Sequence, residues 1–356
     1  MMMGFAYSAL GVTAAAVTKP SDWPEGWPWP PYDYPDDPWA PGWEPWTDGE
    51  VKEAELFVVG TDGRVFVVFH DGTWGELAQP SIVDLGFHKA TISGSPYYAL
   101  PGLDGNPVQY SVDKCGSFDS GAAVGARAGA AETDNVYSSL VTGDVLYWVR
   151  AEGGNVYRFY KSTTGGVTGA ELAALTLNLG TGISVFRVTA SGRLWIVGKN
   201  AVAVSRYSDD EATSWTSPGM TILDVRLSET TVYACGDPSG WGGDGLRKSA
   251  SNGDALSWVP VSPSTKFMDR FLWASGEELL GNGKQGTDPG IWYRADEATE
   301  WVRVIDTVYA VGDAVERDGY VYLVTSDAKV QRAAVTDLTA WTTLATLPIA
   351  GNPVGV

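Results

Sequence analysis

Short runs rich in β-branched and aromatic residues recur from about residue 54 to the C-terminus. Examples are ELFVVG (55–60), RVFVVF (64–69), RLWIVG (193–198) and YVYLVT (320–325). Turn-forming clusters such as Asp318-Gly319 separate them, and this alternation predicts β-strands joined by tight turns. No segment shows a convincing amphipathic helix, since the nearest candidate, GAELAALTL, fits an outer strand about as well. The pattern therefore predicts an all-β chain.

A repeat organises these strands. Trp215, Trp258, Trp301 and Trp341 close similar phrases at intervals of 43, 43 and 40 residues. A period in the forties with four short strands per unit is typical of propeller blades. The strands of the fifth unit are expected at 220–228, 231–236, 245–250 and 257–261. Earlier fourth strands are expected near Trp74, Phe118, Glu171 and Trp215, which makes seven units.

The two ends of the repeat region complement each other. The first unit begins with ELFVVG and lacks an innermost strand, whereas the C-terminus ends with a spare strand at 348–356. We expect this strand to complete the first blade and close the ring, because an open ring would expose unpaired strand edges. The predicted fold is an all-β, seven-bladed β-propeller of residues 53–356 closed by the C-terminal strand. An extended, Pro/Trp-rich N-terminal arm of residues 1–52 precedes it.

The arm differs sharply in composition from the rest of the chain. Residues 21–46 contain six Trp, two Tyr, eight Pro and six carboxylates, without Lys or Arg. Proline excludes helix and interior strand, so we expect polyproline II and turns. Clustered aromatic side chains usually mark a docking surface, although the arm could instead wrap back on its own propeller. The expected partner-binding residues are Trp23, Trp27, Trp29, Tyr32, Tyr34, Trp39, Trp43 and Trp46.

The phrase at 208–215 resembles the Asp-box, or BNR repeat, Ser-x-Asp-x-Gly-x-Thr-Trp. Ser208, Asp210 and Trp215 match it, Ser214 stands for its Thr, and Ala212 replaces its Gly. Such boxes occur in sialidases, in other glycan-active or glycan-binding propellers and in non-enzymatic ones. The resemblance implies that the Asp fixes a turn between third and fourth strands and that the Trp packs between blades. The structural repeat residues so implied are Asp210, Trp215, Trp258, Asp296, Trp301 and Trp341.

Charge and cysteine content exclude several classes of function. A net charge of −19 argues against binding nucleic acid or anionic membranes, which need clustered cations. Cys115 and Cys235 make no disulfide framework and no metal motif, so we expect two buried free thiols. The first 17 residues are apolar, but they lack a basic residue before Lys19 and are too short to span a bilayer. We expect neither a signal peptide nor membrane insertion there.

Candidate chemistry is sparse. A sialidase-like site would need an arginine cluster around a carboxylate, a Tyr–Glu pair and an acid/base Asp, and 186–188 lacks the Pro of a Phe-Arg-Ile-Pro motif. The two histidines, His70 and His88, show no ligand spacing, and Asp/Gly loops such as 102–107 are expected to be turns rather than Ca²⁺ sites. We therefore expect no catalytic residues, no metal and no cofactor. Arg206, Arg247, Arg294 and Arg332 share one repeat position, which favours blade packing or a surface ladder over a site. The arginines available for such a site are Arg158, Arg187, Arg193, Arg206, Arg226, Arg270 and Arg294.

A rigid disc joined to an aromatic arm resembles the β-propeller proteins of tailed-bacteriophage virions. The sequence thus predicts a non-enzymatic structural protein of a virion, such as a tail fibre, adsorption-apparatus or head-decoration protein. Its predicted partners are other virion subunits bound through residues 1–50 and a host glycan or receptor bound through loop aromatics such as Tyr97, Tyr98, Trp241 and Trp273. The alternatives are a glycan-binding propeller and a sialidase-like glycosidase, and the alternative location is extracellular.

Overall fold

The computed structural model describes the β region of the chain but not residues 1–53. It contains 27 strands and no α-helix in the described residues. No described helix could therefore cross a membrane. The described residues are 54–77, 88–92, 95–100, 109–112, 118–121, 139–142, 145–153, 156–176, 183–188, 192–198, 205–228, 230–236, 245–261, 267–285 and 288–355.

The strands form seven antiparallel sheets in the described part of the chain, and six of them have four strands. The first sheet has the order β27-β1-β2-β3, so that it joins the two ends of the described chain. Its strands are β1 (Ala54–Gly60), β2 (Val65–Phe69), β3 (Trp74–Glu76) and β27 (Gly351–Gly355).

The other six sheets are simple meanders in chain order. The second contains β4 (His88–Ile92), β5 (Ser95–Leu100), β6 (Gln109–Ser111) and β7 (Asp119–Ser120), and the third contains β8 (Ser139–Thr142), β9 (Val145–Gly153), β10 (Val156–Ser162) and β11 (Ala170–Thr176). The fourth contains β12 (Ile183–Val188), β13 (Leu194–Gly198) and β14 (Ser205–Ser208), and the fifth contains β15 (Asp224–Ser228), β16 (Thr231–Cys235), β17 (Leu246–Ser249) and β18 (Val259–Pro260). The sixth contains β19 (Phe267–Ser275), β20 (Glu278–Gln285), β21 (Asp288–Arg294) and β22 (Val302–Asp306), and the seventh contains β23 (Ala310–Arg317), β24 (Tyr320–Thr325), β25 (Lys329–Ala334) and β26 (Thr342–Thr346). Sheets of this kind are consistent with propeller blades.

The fourth sheet lacks the fourth strand that was expected near Trp215. Only an isolated bridge joins Tyr207 and Thr216 there, with both backbone hydrogen bonds in place at 3.0 and 2.8 Å. Pro218 follows two residues later, and a proline has no N–H with which to extend the ladder. The prediction of a strand at this place is wrong because the sequence ends the pairing after one bridge.

The C-terminal strand β27 pairs antiparallel with β1. Phe57 lies opposite Val354 and Val59 lies opposite Asn352. Pro353 is tolerated because β27 is an edge strand of this sheet. Gly351 permits the close approach, since a Cβ at that position would lie 2.2 Å from the carbonyl oxygen of Val59. The segment 348–356 thus supplies a strand next to ELFVVG, as the sequence indicates.

Among the described residues, the second strands of the sheets are deeply buried. In the first sheet, where β27 is the first strand and β1 the second, every residue of β1 after Ala54 is buried, and in β24 every residue after Tyr320 is buried. Continuous burial means that both faces of the sheet are covered, which explains why these strands are nearly uninterrupted apolar runs rather than alternating ones. The hydrophobic clusters accordingly lie between consecutive sheets, each built from residues of two neighbours.

The first strands of consecutive sheets are neighbours. β12 contacts β15, β15 contacts β19, β19 contacts β23, and β23 contacts β27. Any polar side chain near the middle of one of these strands is therefore brought close to the first strands of adjacent sheets.

Trp301 offers a direct test of packing between sheets. It is 3% exposed in a cluster built from the fifth and sixth sheets. Trp301→Ala is expected to lower the free energy of unfolding by about 3–5 kcal/mol, because it removes a large buried side chain and leaves a cavity. The neighbouring Val302, which is 55% exposed, is the control, and Val302→Ala should change stability by no more than about 0.5 kcal/mol. Equal effects in chemical denaturation would contradict this packing.

Candidate functional site: an arginine–aspartate cluster on the first strands

Three arginines on consecutive first strands converge on one carboxylate. They are Arg187 of β12, Arg226 of β15 and Arg270 of β19, and the carboxylate is that of Asp313 on β23. Arg226 Nη1 donates to Asp313 Oδ2 at 2.8 Å, and Arg187 Nη2 donates to Asp313 Oδ1 at 3.0 Å. Arg187 Nη1 also bonds Oδ2, and Arg270 Nη2 bonds Oδ1. We call these four residues together with Asp224 the arginine–aspartate cluster.

Asp224 fixes the position of Arg187. Its side chain is fully buried and accepts hydrogen bonds from the backbone N–H groups of Phe271 at 2.8 Å and Val225 at 2.7 Å. Arg187 Nη2 lies 3.3 Å from Asp224 Oδ2 and donates to the carbonyl oxygen of Phe271 at 3.2 Å. Because Asp224 is held by two backbone donors, it orients the guanidinium of Arg187 toward Asp313.

Local irregularities aim two of the side chains. The pairing of β23 with β24 passes from Val311 directly to Val315, so Asp313 lies in a bulge. The pairing of β19 with β20 is irregular on both sides of Arg270 and Phe271. A bulge turns a side chain away from its regular direction, and bulges are common beside active sites. Gly281 accommodates the irregularity in β19, since a Cβ there would lie 2.7 Å from the carbonyl oxygen of Arg270.

The cluster has an excess of positive charge and is open to solvent at Asp313. Three guanidinium groups face two carboxylates. Each guanidinium carries a positive charge because arginine remains protonated in proteins. The side chain of Asp313 is 29% exposed and that of Arg226 is 22% exposed, whereas Asp224 is inaccessible. A ligand could therefore reach Asp313 and Arg226, but it could not reach Asp224 directly.

The neighbouring charges shift the pKa values in opposite directions. Burial alone raises the pKa of Asp313, but Arg187, Arg270 and Arg226 outweigh it and hold that pKa well below its usual range. Burial raises the pKa of Asp224, and the charge of Arg187 opposes that rise. Burial lowers the pKa of Arg187, but Asp224 and Asp313 more than reverse this effect and raise it. Asp313 is thus a persistent anion in the cluster.

Tyrosine–glutamate pairs occur elsewhere, as ties between neighbouring sheets. The hydroxyl of Tyr233, in the fifth sheet, donates to Glu297 Oε1 at 2.9 Å, in the sixth sheet, and Lys248 binds the other oxygen. Tyr322 of the seventh sheet bonds Glu55 of the first. Burial and then the bonded glutamate raise the pKa of each phenol. A phenol with a raised pKa is a poor nucleophile, so these pairs serve packing better than catalysis.

The predicted repeat residues occupy turns and contacts between sheets. Asp210 accepts hydrogen bonds from the backbone N–H of Ser214 at 2.8 Å, from its hydroxyl at 2.6 Å and from Ser208 Oγ at 2.8 Å. Asp296 accepts from the backbone N–H groups of Ala298 and Thr299, both at 2.8 Å.

The repeat tryptophans lie at equivalent places. The indole N–H of Trp215 donates to the carbonyl oxygen of Ala212 at 3.1 Å, and that of Trp341 donates to Leu338 at 2.8 Å. Trp258 and Trp301 are buried, and each packs in a cluster shared by two consecutive sheets. None of these residues contributes to the arginine–aspartate cluster.

Other candidates fall in different places. Trp273 is buried in β19 and donates to Glu316 at 3.0 Å, so the expectation that it is an exposed loop residue is wrong; it packs between the sixth and seventh sheets. His70 is exposed, with Nδ1 3.5 Å from Glu55. Cys235 is a buried free thiol. No cluster of metal-ligating side chains occurs among the described residues. All eight predicted partner-binding residues of the arm, Trp23 to Trp46, lie outside the described residues, as do Cys115 and Trp241.

Sequence reasoning named the three arginines singly but missed the two aspartates that gather them. A usable signal was present, because each of the four first strands carries a charged residue within an apolar run: VFRV, DVRL, MDRF and VGDA. Charged residues are rarely buried in such strands unless they are paired. Aligning the first strands of the units would have suggested that these charges meet.

Comparisons with known proteins give the fold. No family profile matches the chain, and no curated protein sequence matches it. Among solved structures, a puromycin-hydrolyzing peptidase of Mycobacterium tuberculosis has a TM-score of 0.56 at 13% identity, over 82% of this chain and 52% of that one. A puromycin hydrolase variant in complex with PGG has a TM-score of 0.57 at 11% identity, over 84% and 55%.

The GH74 enzyme of Niastella koreensis is more distant, with a TM-score of 0.45 at 16% identity, over 81% of this chain and 44% of that one. The present chain spans about half the length of the structures it matches. Identities at this level show a shared β architecture and no more.

These likenesses overturn two predictions. The structures with TM-scores above 0.5 are a peptidase and a hydrolase, and neither is a virion protein. The prediction of a bacteriophage structural protein, and with it the prediction that the chain is not an enzyme, is therefore wrong. The error came from searching for contiguous motifs, whereas a propeller assembles its sites from residues far apart in the chain. The virion location and the partners of residues 1–50 stay predictions.

The turn at Asp210 gives a pH-dependent stability. Hydrogen bonds from the side chain and backbone of Ser214, and then from Ser208, lower the pKa of Asp210 from 3.8 to about 2. A carboxyl with a depressed pKa in the folded state stabilises the fold above its unfolded pKa and loses this effect as the pH falls toward the folded pKa. Asp210→Asn should thus lower Tm at pH 7, and the difference from the parent should shrink between about pH 4 and pH 2.

The control for this experiment is Asp306→Asn. Asp306 is 75% exposed and contacts Arg303 at 3.1 Å. Exposed ion pairs of this kind contribute about 0–1 kcal/mol, so the control should change Tm little at any pH. A difference between parent and Asp210→Asn that stays constant with pH would contradict the assigned role of the Asp210 carboxylate.

Proposed function

We propose that the seven sheets are the blades of one closed β-propeller and that its axis binds an anionic group of a hydrolase substrate. The ring is supported by contacts that continue past the described cluster: β27 contacts β4, β4 contacts β8, and β8 contacts β12. The first strands then form a continuous circle around the axis. In this architecture the arginine–aspartate cluster faces the axial channel.

The observation that carries the proposed function is the convergence of Arg187, Arg226 and Arg270 on one partly exposed carboxylate. Such a set of guanidiniums is matched to planar, two-oxygen acceptors, which it binds through parallel N–H donors. The side chain of Asp313 shows the shape of that acceptor, since each of its oxygens takes two guanidinium bonds. A substrate carboxylate is the matching ligand.

The charge of the cluster favours an anion locally although the whole chain repels one. The chain carries a net charge of −19, but the cluster contains three guanidiniums against two carboxylates. In a channel with partly dehydrated walls, the local charges dominate at short range. A ligand without a well-placed anionic group would gain nothing from this site, so the cluster would select among substrates.

Hydrolysis is the reaction class favoured by the fold likeness. The two proteins whose structures have TM-scores above 0.5 are a puromycin-hydrolyzing peptidase and a puromycin hydrolase. In this proposal the three arginines recognise and orient the substrate, and Asp313 is the partly exposed carboxylate among them. We also propose that the arm of residues 1–52 and the propeller of residues 53–356 are separate domains, and that the aromatic arm docks on a partner protein.

Paired chromogenic substrates test this function. Glutamyl and glutaminyl 4-nitroanilides, and 4-nitrophenyl glucuronide and glucoside, differ within each pair by a carboxylate. The protein should hydrolyse the carboxylate member of one pair faster than its neutral partner. Arg226→Ala should lower kcat/KM for that substrate by about tenfold or more, as expected for a lost hydrogen bond between charged groups. Acetate binding measured by calorimetry, with acetamide as the neutral control, reports the same recognition without turnover.

Arg206 is the matched control for Arg226. It is a partly buried arginine of the third strand β14, where it donates to the carbonyl oxygen of Ser205 at 2.8 Å, away from the cluster. Arg206→Ala should leave acetate affinity and kcat/KM within about twofold, since it removes no donor from the site. Equal hydrolysis of both members of each pair, or an unchanged acetate affinity in Arg226→Ala, would exclude the proposed recognition.

A further inference from the structure

We infer that Asn352 is a positioning residue for Asp313, so that the C-terminal strand holds in place the carboxylate that occupies the arginines of the anion site. Asn352 lies on β27, and its side-chain oxygen Oδ1 accepts a hydrogen bond from the backbone N–H of Asp313 at 3.2 Å. This inference rests on the proposed function for the ligand it names. The contact itself joins two strands of different sheets.

The bulge at Asp313 needs an external support. Its residues leave the regular ladder between Val311 and Val315, and a bulge leaves backbone groups without their usual ladder partners. The N–H of Asp313 finds its acceptor on β27 rather than on β24. Asn352 therefore takes the place of a ladder bond at the residue whose side chain receives all three guanidiniums.

The fit at this contact is close and specific. Gly312 has a φ of +75°, a left-handed conformation that favours glycine. A Cβ at Gly312 would lie 1.8 Å from Asn352 Oδ1, so the two residues occupy space that no larger pair could share. The side chain of Asn352 and the missing side chain of Gly312 together fix the path of the bulge.

β27 is itself held by β1 and by apolar packing. Asn352 lies opposite Val59, and Val354, two residues further along, is buried in a cluster with Phe57. The position of Asn352 thus depends on pairing between segments at opposite ends of the described chain. Loss of that pairing would release Asp313 from the arginines without removing any residue of the arginine–aspartate cluster.

Two variants of the full chain test the inference, with a third as control. Asn352→Ala removes the acceptor Oδ1, and Gly312→Ala adds a Cβ that forces this oxygen away from the N–H of Asp313. Asn282→Ala is the matched control because Asn282 also binds the backbone of β23 from another strand, at Ala310, through bonds of 2.9 and 3.0 Å. The readouts are acetate affinity by calorimetry and the titration of the Asp313 carboxyl by ¹³C NMR, assigned with Asp313→Asn.

Asn352→Ala and Gly312→Ala should each strengthen acetate binding by about tenfold, comparable to the gain of one hydrogen bond to a charged group, because a displaced Asp313 no longer competes with acetate for the guanidinium N–H donors. The Asp313 carboxyl should titrate at higher pH in both variants, because it no longer meets all three guanidiniums. The double variant should bind acetate no more tightly than either single one, since both changes break the same contact. Asn282→Ala should lower Tm while leaving both readouts unchanged.

The outcomes separate this inference from the proposed function. If acetate does not bind the parent protein, the proposed function fails, and a shifted Asp313 titration in Asn352→Ala still supports the positioning role. If acetate binds and Asn352→Ala changes neither its affinity nor the Asp313 titration, the positioning role is wrong. Equal shifts in Asn282→Ala would also overturn it, because they would show a general loosening of β23.

Discussion

The packing of each sheet between two neighbours is the constraint on which this structure depends. A sheet of three or four short strands cannot bury both of its faces alone, and here the apolar faces of consecutive sheets cover one another. The tyrosine–carboxylate and lysine–carboxylate contacts, such as those of Glu297, bridge the same interfaces. Stability is thus shared among interfaces between similar units, as in other repeat proteins. The charged cluster on the first strands is possible because this apolar packing already holds those strands together.

The fold could be predicted from the sequence to a large extent. The repeat of Trp258 and Trp301 located units whose strands, such as Leu246–Ser249 and Val259–Pro260, lie within the expected ranges. Apolar runs such as YVYLVT report burial on both faces directly. The prediction of a fourth strand beside Trp215 was wrong for a local reason. Pro218 ends the pairing of this segment with β14 after one bridge, and the repeat pattern alone does not reveal that end.

The site was much less predictable than the fold. Arg187 and Asp313 are 126 residues apart in the chain, and nothing in the surroundings of either residue indicates the other. Their meeting depends on bulges in β19 and β23, and the register of a bulge is not visible in an apolar pattern. Function was misjudged for a related reason, since the absence of a contiguous motif says little about a site whose members come from four different sheets.

The pairing of β27 with β1 also constrains how the chain can be made. Ribosomes release the N-terminal segments first, so β1 emerges long before its partner, and β27 follows all the other described strands. Until then the edge of β1 that later pairs with β27 offers unpaired backbone groups to any strand that meets it. The contact between these strands spans almost the whole described chain, and contacts of such sequence separation form slowly. Nascent chains that do not yet include β27 therefore expose the unpaired edge of β1, and protection by chaperones matters most until β27 has emerged.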